Sequence, residues 1–318
     1  MLTAGMGVSA AIVGPGNIGT DLMYKILDRS DSIDLERMIG IFPVGESDGL
    51  QAAVEEGIDV GTEGIDSVRD HAEEFDLVFD ATSAHVHEQQ APVYDDLGLF
   101  AIDLTPAAVG PYAVPVVNLD DVVGETRNVN MVTCGGQATI PIVHAVDRVA
   151  DVEYAEMVSH IASKSAGPGT RQNIDKFTQT TAAGLEVVGG ADEGKAIITL
   201  NPAEPPIMMR NTVHTKVPDT ADVDAVRDSV ARIADEIRSY VPGYEVTLEP
   251  AVKDSDDVGF DLDGSRILTT QLEVEGEGHH LPPYAGNLDI MTSAALGTAE
   301  RIAAQPTEVA AVGGETDD

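Results

Sequence analysis

The sequence predicts an α/β fold, in which a doubly wound parallel sheet is followed by a second, α+β part. Over the first 133 residues, short apolar runs rich in Val, Ile and Phe alternate with amphipathic stretches, which is typical of strand–helix–strand units. The first apolar run ends in a glycine-rich turn that opens a helical stretch. From residue 134 onward the strand-like runs are longer and the crossovers fewer, so we expect a mixed or antiparallel sheet with helices on one face.

Length and cysteine content narrow the class of protein. A chain of 318 residues is longer than one hydrophobic core usually serves, so two domains are expected. The single cysteine excludes an internal disulfide and suits a reducing compartment. No apolar run approaches the ~18–20 residues that cross a bilayer, and no export signal is recognisable. We therefore expect a cytoplasmic protein.

The charge of the chain is strongly one-sided. It has 55 acidic and 18 basic residues, a net charge of −37 that is spread along the whole length. Such a field repels nucleic acid and anionic membranes, so neither is expected as a partner. No carboxylates cluster at metal-ligand spacing. The acidic residues therefore predict a solvated surface adapted to high salt, where the self-repulsion is screened.

The first part of the chain is predicted to contain five strands. Each is an apolar run bounded by Gly, Asp or Pro. The strands cover residues 8–13, 35–42, 75–81, 99–104 and 128–132, and helices are predicted between several of them, for example at 20–29 and 89–97.

The second part is predicted to contain longer elements. Helices are predicted at residues 138–149, 172–188 and 221–240, and strands at 152–162, 196–200, 207–217, 244–252 and 266–275. The helix at 221–240 is amphipathic, because Val223, Val226, Val230, Ile233 and Ile237 follow one face. A last helix, at 287–304, precedes a polar tail whose end is predicted to be disordered.

The turn after the first strand has the spacing of a dinucleotide-binding motif. Gly14, Gly16 and Gly19 form a G-x-G-x-x-G pattern between a strand and a helix. The first glycine permits a tight turn, the second lets a pyrophosphate approach the backbone, and the third lets helix and strand pack closely. An Asp or Glu that would hold the adenosine ribose is expected about 20 residues later. Ile41 and Phe42 stand there instead, yet no basic residue favours a 2′-phosphate, so NAD is predicted over NADP.

Cys134 is the candidate nucleophile. A lone cysteine is more often a small buried hydrophobic residue, but this one stands where an apolar strand meets two glycines and a helix. The partial positive charge of a helix N-terminus lowers a thiol pKa toward neutrality, so we expect an activated thiol. The adjacent glycines are expected to leave backbone N–H groups free for an oxyanion.

Two loops and a histidine pair allow more than one interpretation. The Gly-Pro-Gly turn within residues 164–173 fits a site that binds a second anionic portion of a ligand. It fits equally an ordinary loop in which Thr170 is the N-cap of the following helix. At the end of the loop 278–287, Asn287 is better interpreted as a helix cap than as a ligand contact when taken alone. His85 and His87 lack companion ligands at metal-site spacing, so we predict a loop there and no metal.

Together these stretches resemble the acylating acetaldehyde dehydrogenase family (acetaldehyde:NAD oxidoreductase, CoA-acetylating) of aromatic meta-cleavage pathways. The resemblance extends from Ala10 to about Ala299. Its most specific stretches read GPGNIGTDLM, NVNMVTCGGQATIPIVHAV, SKSAGPGTRQNID, GKAIITLNPAEPPIMMR and GHHLPPYAGNLDIMTSAAL.

The resemblance implies which residues form the site. Cys134 corresponds to the family's acyl-thioester cysteine, and no metal site is implied. The implied NAD contacts are Pro15, Gly16, Asn17 and Ile18, then Ser165, Ala166, Gly167, Pro168, Gly169, Thr170, Arg171, Gln172 and Asn173, and finally Asn287.

The resemblance also implies the domain organisation and the partners. Residues 1–133 and 287–318 are expected to form a Rossmann NAD-binding domain, because the last helix of the family returns to it. Residues 134–286 are expected to form the catalytic and dimerisation domain. The implied partners are a second copy in a homodimer, coenzyme A as co-substrate, and a 4-hydroxy-2-oxovalerate aldolase that passes acetaldehyde through a channel.

The expected reaction converts acetaldehyde or a short homologue, NAD and CoA into acyl-CoA and NADH through a thioester on Cys134. Two departures from the family bear on it: Phe42 stands where relatives carry Asp, and Asn211 stands in the stretch that relatives write MRDT. His279 and the neighbourhood of Asn211 are the candidates for accepting the thiol proton. The alternatives are a phosphorylating semialdehyde-type dehydrogenase and a catalytically weak subunit that supports an aldolase.

Overall fold

The first half of the protein forms a parallel six-stranded sheet. A computed structural model describes residues 7–124, 126–167, 171, 174–259 and 261–304. The strands are β1 (Val8–Val13), β2 (Ile33–Ile39), β3 (Asp59–Gly61), β4 (Leu77–Asp80), β5 (Phe100–Asp103) and β6 (Asn128–Asn130). They lie in the order β3-β2-β1-β4-β5-β6, and every pair is parallel. The strand order reverses between β1 and β4, and ligands bind at such switch points, outside the carboxyl ends of the strands.

Five helices connect these strands. They are α1 (Asn17–Arg29), α2 (Asp48–Glu55), α3 (Ile65–Asp70), α4 (Ala84–Asp96) and α5 (Leu119–Val123). Serines cap two of them, because the Ser47 and Ser83 side chains accept hydrogen bonds from backbone N–H groups of the first turn. The N-cap of α1 is Gly16, which offers no side chain to these groups. The first-turn N–H groups of α1 are therefore left without a side-chain cap.

The second half forms a mixed five-stranded sheet. Its strands are β7 (Tyr154–Ala162), β8 (Gly194–Asn201), β9 (Met209–Pro218), β10 (Tyr244–Lys253) and β11 (Ser265–Val274), in the order β10-β11-β9-β7-β8. Only β7 and β8 are parallel, and the other pairs are antiparallel. Along β9, buried and more exposed residues alternate, which is the pattern of a sheet covered on one face.

Helices cover the inner face of the second sheet and connect it to the first. They are α6 (Cys134–Asp147), α7 (Ile174–Val187), α8 (Val223–Arg238) and the last helix, α10 (Gly286–Ala304), while the short α9 (Ser255–Val258) follows β10 and lies beside the other face. Nearly every residue of α6 is buried, because β9, α7, α8 and α10 all pack around it. Helix α6 therefore lies in the core, and its N-terminus carries Cys134.

Helix α10 packs against α1 and α6. A buried ion cluster fixes the first of these contacts. The Lys25 ammonium donates to Asp21 at 2.7 Å and to Asp289 at 2.6 Å, and the Thr292 hydroxyl donates to Asp21 at 2.6 Å. Because Lys25 is fully buried, its charge depends on these two carboxylates. The cluster therefore holds the start of α10 against the helix that follows the glycine turn.

The predicted α/β fold class is confirmed, with corrections in detail. The strands predicted in both halves are present, with ends displaced by a few residues. Five short elements were not predicted: β3, α2, α3, α5 and α9. The loop predicted at His85 and His87 is wrong, because both residues lie in the first turn of α4 behind the Ser83 cap. The predicted tail lies outside the described residues, and the two domain boundaries stay a prediction. No helix in the described part of the chain has the length and apolar character needed to cross a bilayer.

Candidate active site

The three glycines of the turn between β1 and α1 face different surroundings. Gly14 has φ +107°, and a Cβ built on it would come within 2.6 Å of the Ala81 carbonyl oxygen. A Cβ on Gly19 would come within 2.1 Å of the Gly14 carbonyl oxygen. A Cβ on Gly16 would meet nothing within 4 Å. The first and third glycines thus permit the tight packing of the turn, and the second leaves open space at the N-terminus of α1. This geometry fits a pyrophosphate group.

The carboxyl end of β2 presents apolar side chains beside this turn. Ile41 is 70% exposed and Phe42 is 54% exposed, in a protein whose surface is otherwise strongly acidic. The two residues follow the strand that pairs with β1. They occupy the place where a carboxylate would contact an adenosine ribose. The structure therefore supplies an apolar surface there and no carboxylate from these two positions.

Cys134 is the first residue of α6 and is partly exposed. The residue before it, Thr133, caps the helix: its hydroxyl accepts from the Gly136 N–H at 2.9 Å and lies 2.7 Å from the Thr181 hydroxyl of α7. The glycines after Cys134 are closely packed: a Cβ on Gly135 would come within 2.3 Å of the end of the Met157 side chain, and one on Gly136 within 2.9 Å of Val132. The expectation that both glycines leave free N–H groups is wrong for Gly136, since the cap occupies its N–H.

The expected activation of the thiol by the helix alone is also wrong. Burial raises the pKa of the Cys134 thiol to about 12, although hydrogen bonds from the backbone N–H groups of Gly135 and Cys134 lower it in part. The desolvation penalty outweighs the favourable end of the helix because the thiolate would lie in an apolar surrounding. The sulfur is therefore held as a thiol at neutral pH.

A small cavity opens at Cys134. Its volume is about 130 Å³, below the roughly 300–1,000 Å³ of sites for drug-sized ligands. Ile18 of the glycine turn, Thr82 after β4 and Thr105 after β5 line one side, and Phe177 of α7 and Asn287 of α10 line the other. The cavity therefore lies between the carboxyl edge of the first sheet and the helices of the second half. Its size suits a small molecule and one end of a larger ligand.

The cavity wall contains an unpartnered polar atom. The Asn287 side chain is 1% exposed, and its Nδ2 donates to the Ser165 carbonyl oxygen at 3.5 Å. Its Oδ1 has no hydrogen-bond partner within the described residues. Because an unsatisfied buried amide oxygen costs about 1–3 kcal/mol, this atom marks a place where a ligand N–H group would be accepted. Asn287 is thus a cavity residue, and its interpretation as a helix cap is wrong, because the helix already begins at Gly286.

The structure brings several of the predicted NAD-binding residues together. Ile18 and Asn287 line the same cavity as Cys134, and Ser165 contacts Asn287. Pro15, Gly16 and Asn17 lie in the adjoining glycine turn. Ala166 is buried, Gly167 has open space around its Cα, and the Arg171 guanidinium turns back to the carbonyl oxygens of Ser163 and Ala166. Pro168, Gly169, Thr170, Gln172 and Asn173 lie outside the described residues.

Neither candidate for the proton acceptor lines the cavity. The His279 imidazole lies 3.2 Å from the Asp28 carboxylate at the end of α1. Asn211 lies on the inner face of the second sheet, opposite Ser159 of β7, and both of its amide atoms are without partners among the described residues. Met157 of the same face contacts the position of Gly135, so Asn211 faces the α6 side of the sheet.

Sequence reasoning missed a group of polar residues at the carboxyl ends of three adjacent strands. Asp80, Asp103 and Asn130 end β4, β5 and β6 and are completely buried. Each side chain accepts a hydrogen bond from the backbone N–H two residues later, at 3.0 Å from Thr82, 2.7 Å from Thr105 and 2.8 Å from Val132. The sequence does show Asp or Asn as the last residue of each of these strands. It does not show that the three side chains lie at the same edge of the sheet, because that depends on the order of the strands.

The chain was compared with known proteins. Residues 134–282 match the family model described as prokaryotic acetaldehyde dehydrogenase, dimerisation. Acetaldehyde dehydrogenase 3 of Rhodococcus opacus is 55% identical over 295 residues, which are 93% of this chain and 96% of the relative. A propanal dehydrogenase (CoA-propanoylating) of Mycobacterium tuberculosis is 52% identical over 304 residues, 96% of this chain and 97% of the relative. These findings confirm the resemblance drawn from the sequence motifs.

A solved structure has a similar fold. Aspartate semialdehyde dehydrogenase II of Vibrio cholerae, complexed with ASA, superposes with a TM-score of 0.60 over 93% of this chain and 98% of the other. The sequences are only 12% identical, so this likeness concerns the fold alone.

Proposed function

The chain belongs to the acetaldehyde dehydrogenase family, and from that premise we propose that it oxidises acetaldehyde or propanal to the acyl-CoA with NAD as hydride acceptor. The observation that carries the proposal is the cavity in which Cys134, Ile18 of the glycine turn and the unpartnered Asn287 Oδ1 meet. The cavity thus combines a nucleophile, a neighbouring turn that can hold a phosphate-bearing cofactor, and a hydrogen-bond acceptor without a partner. The two relatives act on aldehydes of two and three carbons by name, which agrees with the small cavity.

The residues of this chain divide the binding of NAD between two regions. The open space at Gly16 and the uncapped N–H groups of α1 would hold the pyrophosphate. Asn287 would accept a hydrogen bond from the nicotinamide carboxamide, which is an N–H donor of the right kind. Phe42 and Ile41 would face the adenosine end with apolar surface. When bound there, NAD accepts the hydride from the reacting carbon.

Cys134 performs the covalent part of the reaction. Its sulfur attacks the aldehyde carbon and releases the thiol proton to solvent water, which leaves a thiohemiacetal whose oxyanion lies near the N-terminus of α6. Loss of a hydride from that carbon leaves an acyl group joined to the sulfur. The thiol of CoA then attacks the acyl carbon, and Cys134 leaves as the thiolate. The thioester retains the free energy of oxidation, which direct attack by water would release.

The chemistry is tested by following NADH formation with acetaldehyde, CoA and NAD in molar KCl. We expect CoA-dependent NADH formation by the wild-type protein, and loss of at least about 10³-fold in kcat for Cys134→Ala, because the nucleophile is removed. Replacing CoA by inorganic phosphate tests the phosphorylating alternative. Activity with phosphate and none with CoA would refute the proposal. Unchanged turnover of Cys134→Ala would refute the thioester mechanism.

We also propose that the protein acts as a homodimer and binds a 4-hydroxy-2-oxovalerate aldolase. The match of residues 134–282 to a dimerisation model supports the dimer. Light scattering in molar KCl should give about twice the chain mass of 33.3 kDa. A catalytically weak subunit, the second alternative, would bind the aldolase and show no CoA-dependent oxidation by itself.

A further inference from the structure

The backbone immediately before Cys134 is strained. Val132 has φ +60°, a conformation that a β-branched residue rarely adopts. It is buried and lies two residues before the nucleophile, between the end of β6 and the start of α6. Strain of this kind costs about 1–3 kcal/mol and persists only where surrounding contacts enforce it. The contacts that enforce it here therefore decide where the sulfur lies.

The first of these contacts comes from Asn130. Its Oδ1 accepts from the Val132 N–H at 2.8 Å, and its Nδ2 donates to Asp103 at 2.6 Å and to the Thr105 carbonyl oxygen at 2.8 Å. The Asn130 side chain thus uses both of its ends in the fully buried interior. The orientation of the strained turn is set by the carboxylate of Asp103 through Asn130.

Asp103 is in turn paired with His87. The His87 Nε2 lies 3.4 Å from Asp103 Oδ2, and its Nδ1 lies 2.8 Å from Asp80 Oδ2. All three side chains are 0% exposed. One imidazole therefore joins the ends of β4 and β5. These two aspartates also hold the turns that carry Thr82 and Thr105 into the wall of the cavity.

We propose that His87 is a positioning residue, which holds the strained turn before Cys134 in place through Asp103. The inference rests on the proposed function, because the turn presents the sulfur that the proposal makes the nucleophile. His87 does not line the cavity and acts only through Asp103 and Asn130. Two buried carboxylates in neighbouring strands would repel each other without a cation between them.

The charges around His87 support this role. Burial lowers the pKa of His87, but the hydrogen bond to Asp80 and the attraction of Asp103 outweigh it, so the pKa lies above the ordinary value of 6.5. Burial raises the pKa of Asp103 to about 6, against the opposing effect of His87. The other groups facing the ring are Tyr94, which donates to Asp80 and whose pKa burial raises, the Asn128 amide, 3.1 Å from Nε2, and Glu88 toward the surface. A charged ring donates at both nitrogens, so it requires the Asn128 amide to turn its Oδ1, which has no partner among the described residues, toward Nε2.

These directions predict a pH window for the bridge. Below about pH 6 Asp103 takes up a proton, and above its raised pKa His87 loses its proton. Between these limits the imidazolium attracts both carboxylates. A neutral ring retains one donor, which Asp80 uses, and its attraction for Asp103 is lost. The turn before Cys134 should therefore be held most firmly between these two limits and loosen once the pH rises above the pKa of His87.

The test compares His87→Gln with the matched control His85→Gln. Glutamine can reach one carboxylate and carries no charge, and His85 lies two residues away on the same helix, exposed. For His87→Gln we expect kcat to fall at least tenfold, KM values to change less than threefold, and the Kd for NADH to stay within twofold of wild type. In the apoprotein, iodoacetamide should alkylate Cys134 at least threefold faster, because a loosened turn desolvates the sulfur less. His85→Gln should match wild type in all four measurements.

Each outcome distinguishes the inference from the proposed function. A wild-type kcat and alkylation rate in a folded His87→Gln protein would overturn the inference and leave the proposed function intact. If the wild-type protein forms no NADH, the proposed function fails, and the alkylation rates still decide the inference. If His87→Gln does not fold, nitrogen-15 spectra of the wild-type imidazoles decide it: His87 charged at pH 7 supports the bridge, and His87 neutral at pH 6 overturns it.

Discussion

At the scale of single residues, Gly16 is expected to matter for cofactor binding and Gly19 for folding. Both belong to one turn, yet a Cβ on Gly16 meets open space and a Cβ on Gly19 collides with the backbone of Gly14. Gly16 has φ −83° and ψ −172°, which any residue adopts. A side chain at Gly16 is therefore compatible with the fold, but it would occupy the space that a phosphate requires.

The variant Gly16→Ser tests this separation. Serine at an N-cap accepts from the first-turn N–H groups, so the thermal midpoint should stay within a few degrees of wild type, while its hydroxyl competes with the phosphate for the same donors. We expect the Kd for NADH, measured by fluorescence titration, to rise at least tenfold, or about 1.4 kcal/mol. Gly19→Ala should instead lower the thermal midpoint. Tight NADH binding by Gly16→Ser would contradict this account of the turn.

Cys134 gives a second prediction at this scale. Because burial raises its pKa to about 12, the thiolate fraction should increase about tenfold for each pH unit up to pH 10. The alkylation rate of the apoprotein by iodoacetamide should follow this line without a plateau. With only one cysteine in the chain, the measurement has no competing thiol. A plateau near pH 8 would show that the free enzyme activates the thiol by itself.

Single residues also show how far sequence reasoning reaches. Cys134 could be singled out because its neighbours in the chain, a strand, two glycines and a helix, already describe its surroundings. His87 could not, because its partners Asp80 and Asp103 are brought to it by the order of strands and not by spacing in the sequence. The raised pKa of Cys134 depends likewise on side chains from distant elements, such as Phe177 and Asn287.

At the scale of elements, the long strands and helices were predictable and the short ones were not. A run of ten residues such as β9 alternates long enough to reveal its period, whereas β3 has three residues and α3 has six. The start of α4 is hard to predict from the sequence because its hydrophobic pattern is weak. The helix begins there because Ser83 caps it and because His87 is buried. The burial of His87 is a tertiary contact, which the local sequence does not reveal.

The packing of α1 on α10 carries a prediction at this scale. Lys25→Met leaves Asp21 and Asp289 facing each other without their cation in the interior, and removing one partner of a buried ion pair costs about 3–5 kcal/mol. Arg301→Met is the control, because the Arg301–Asp120 pair is about half exposed and such pairs contribute ~0–1 kcal/mol. Guanidinium denaturation should show a much larger loss of stability for Lys25→Met. Equal losses would contradict the assignment.

At the scale of the whole molecule, the net charge of −37 governs the conditions under which the fold is stable. Acidic residues outnumber basic ones about threefold, so the attraction within ion pairs leaves most of the repulsion among the carboxylates in place. Screening shortens the reach of the repulsion from about 10 Å at 0.1 M salt to about 3 Å at 1 M. The compact chain should gain stability over that range.

The corresponding measurement is the thermal midpoint as a function of KCl concentration. We expect a steady rise of several degrees or more between 0.1 and 2 M KCl, with about 2–4 °C for each kcal/mol gained. Sucrose at equal osmolarity serves as the control, because it favours the compact state without screening charge. A midpoint that is insensitive to KCl would contradict the interpretation of the acidic surface as an adaptation to salt.

The position of α10 sets a limit on when the site can exist during synthesis. Asn287, Leu288 and Met291 complete the wall of a cavity whose other residues lie between Ile18 and Phe177. A growing polypeptide that has already folded its first sheet and placed Cys134 still lacks that wall. The nascent chain on the ribosome therefore contains Cys134 before the cavity around it is complete. We expect aldehyde to bind only after the last helix has been synthesised and has packed into place.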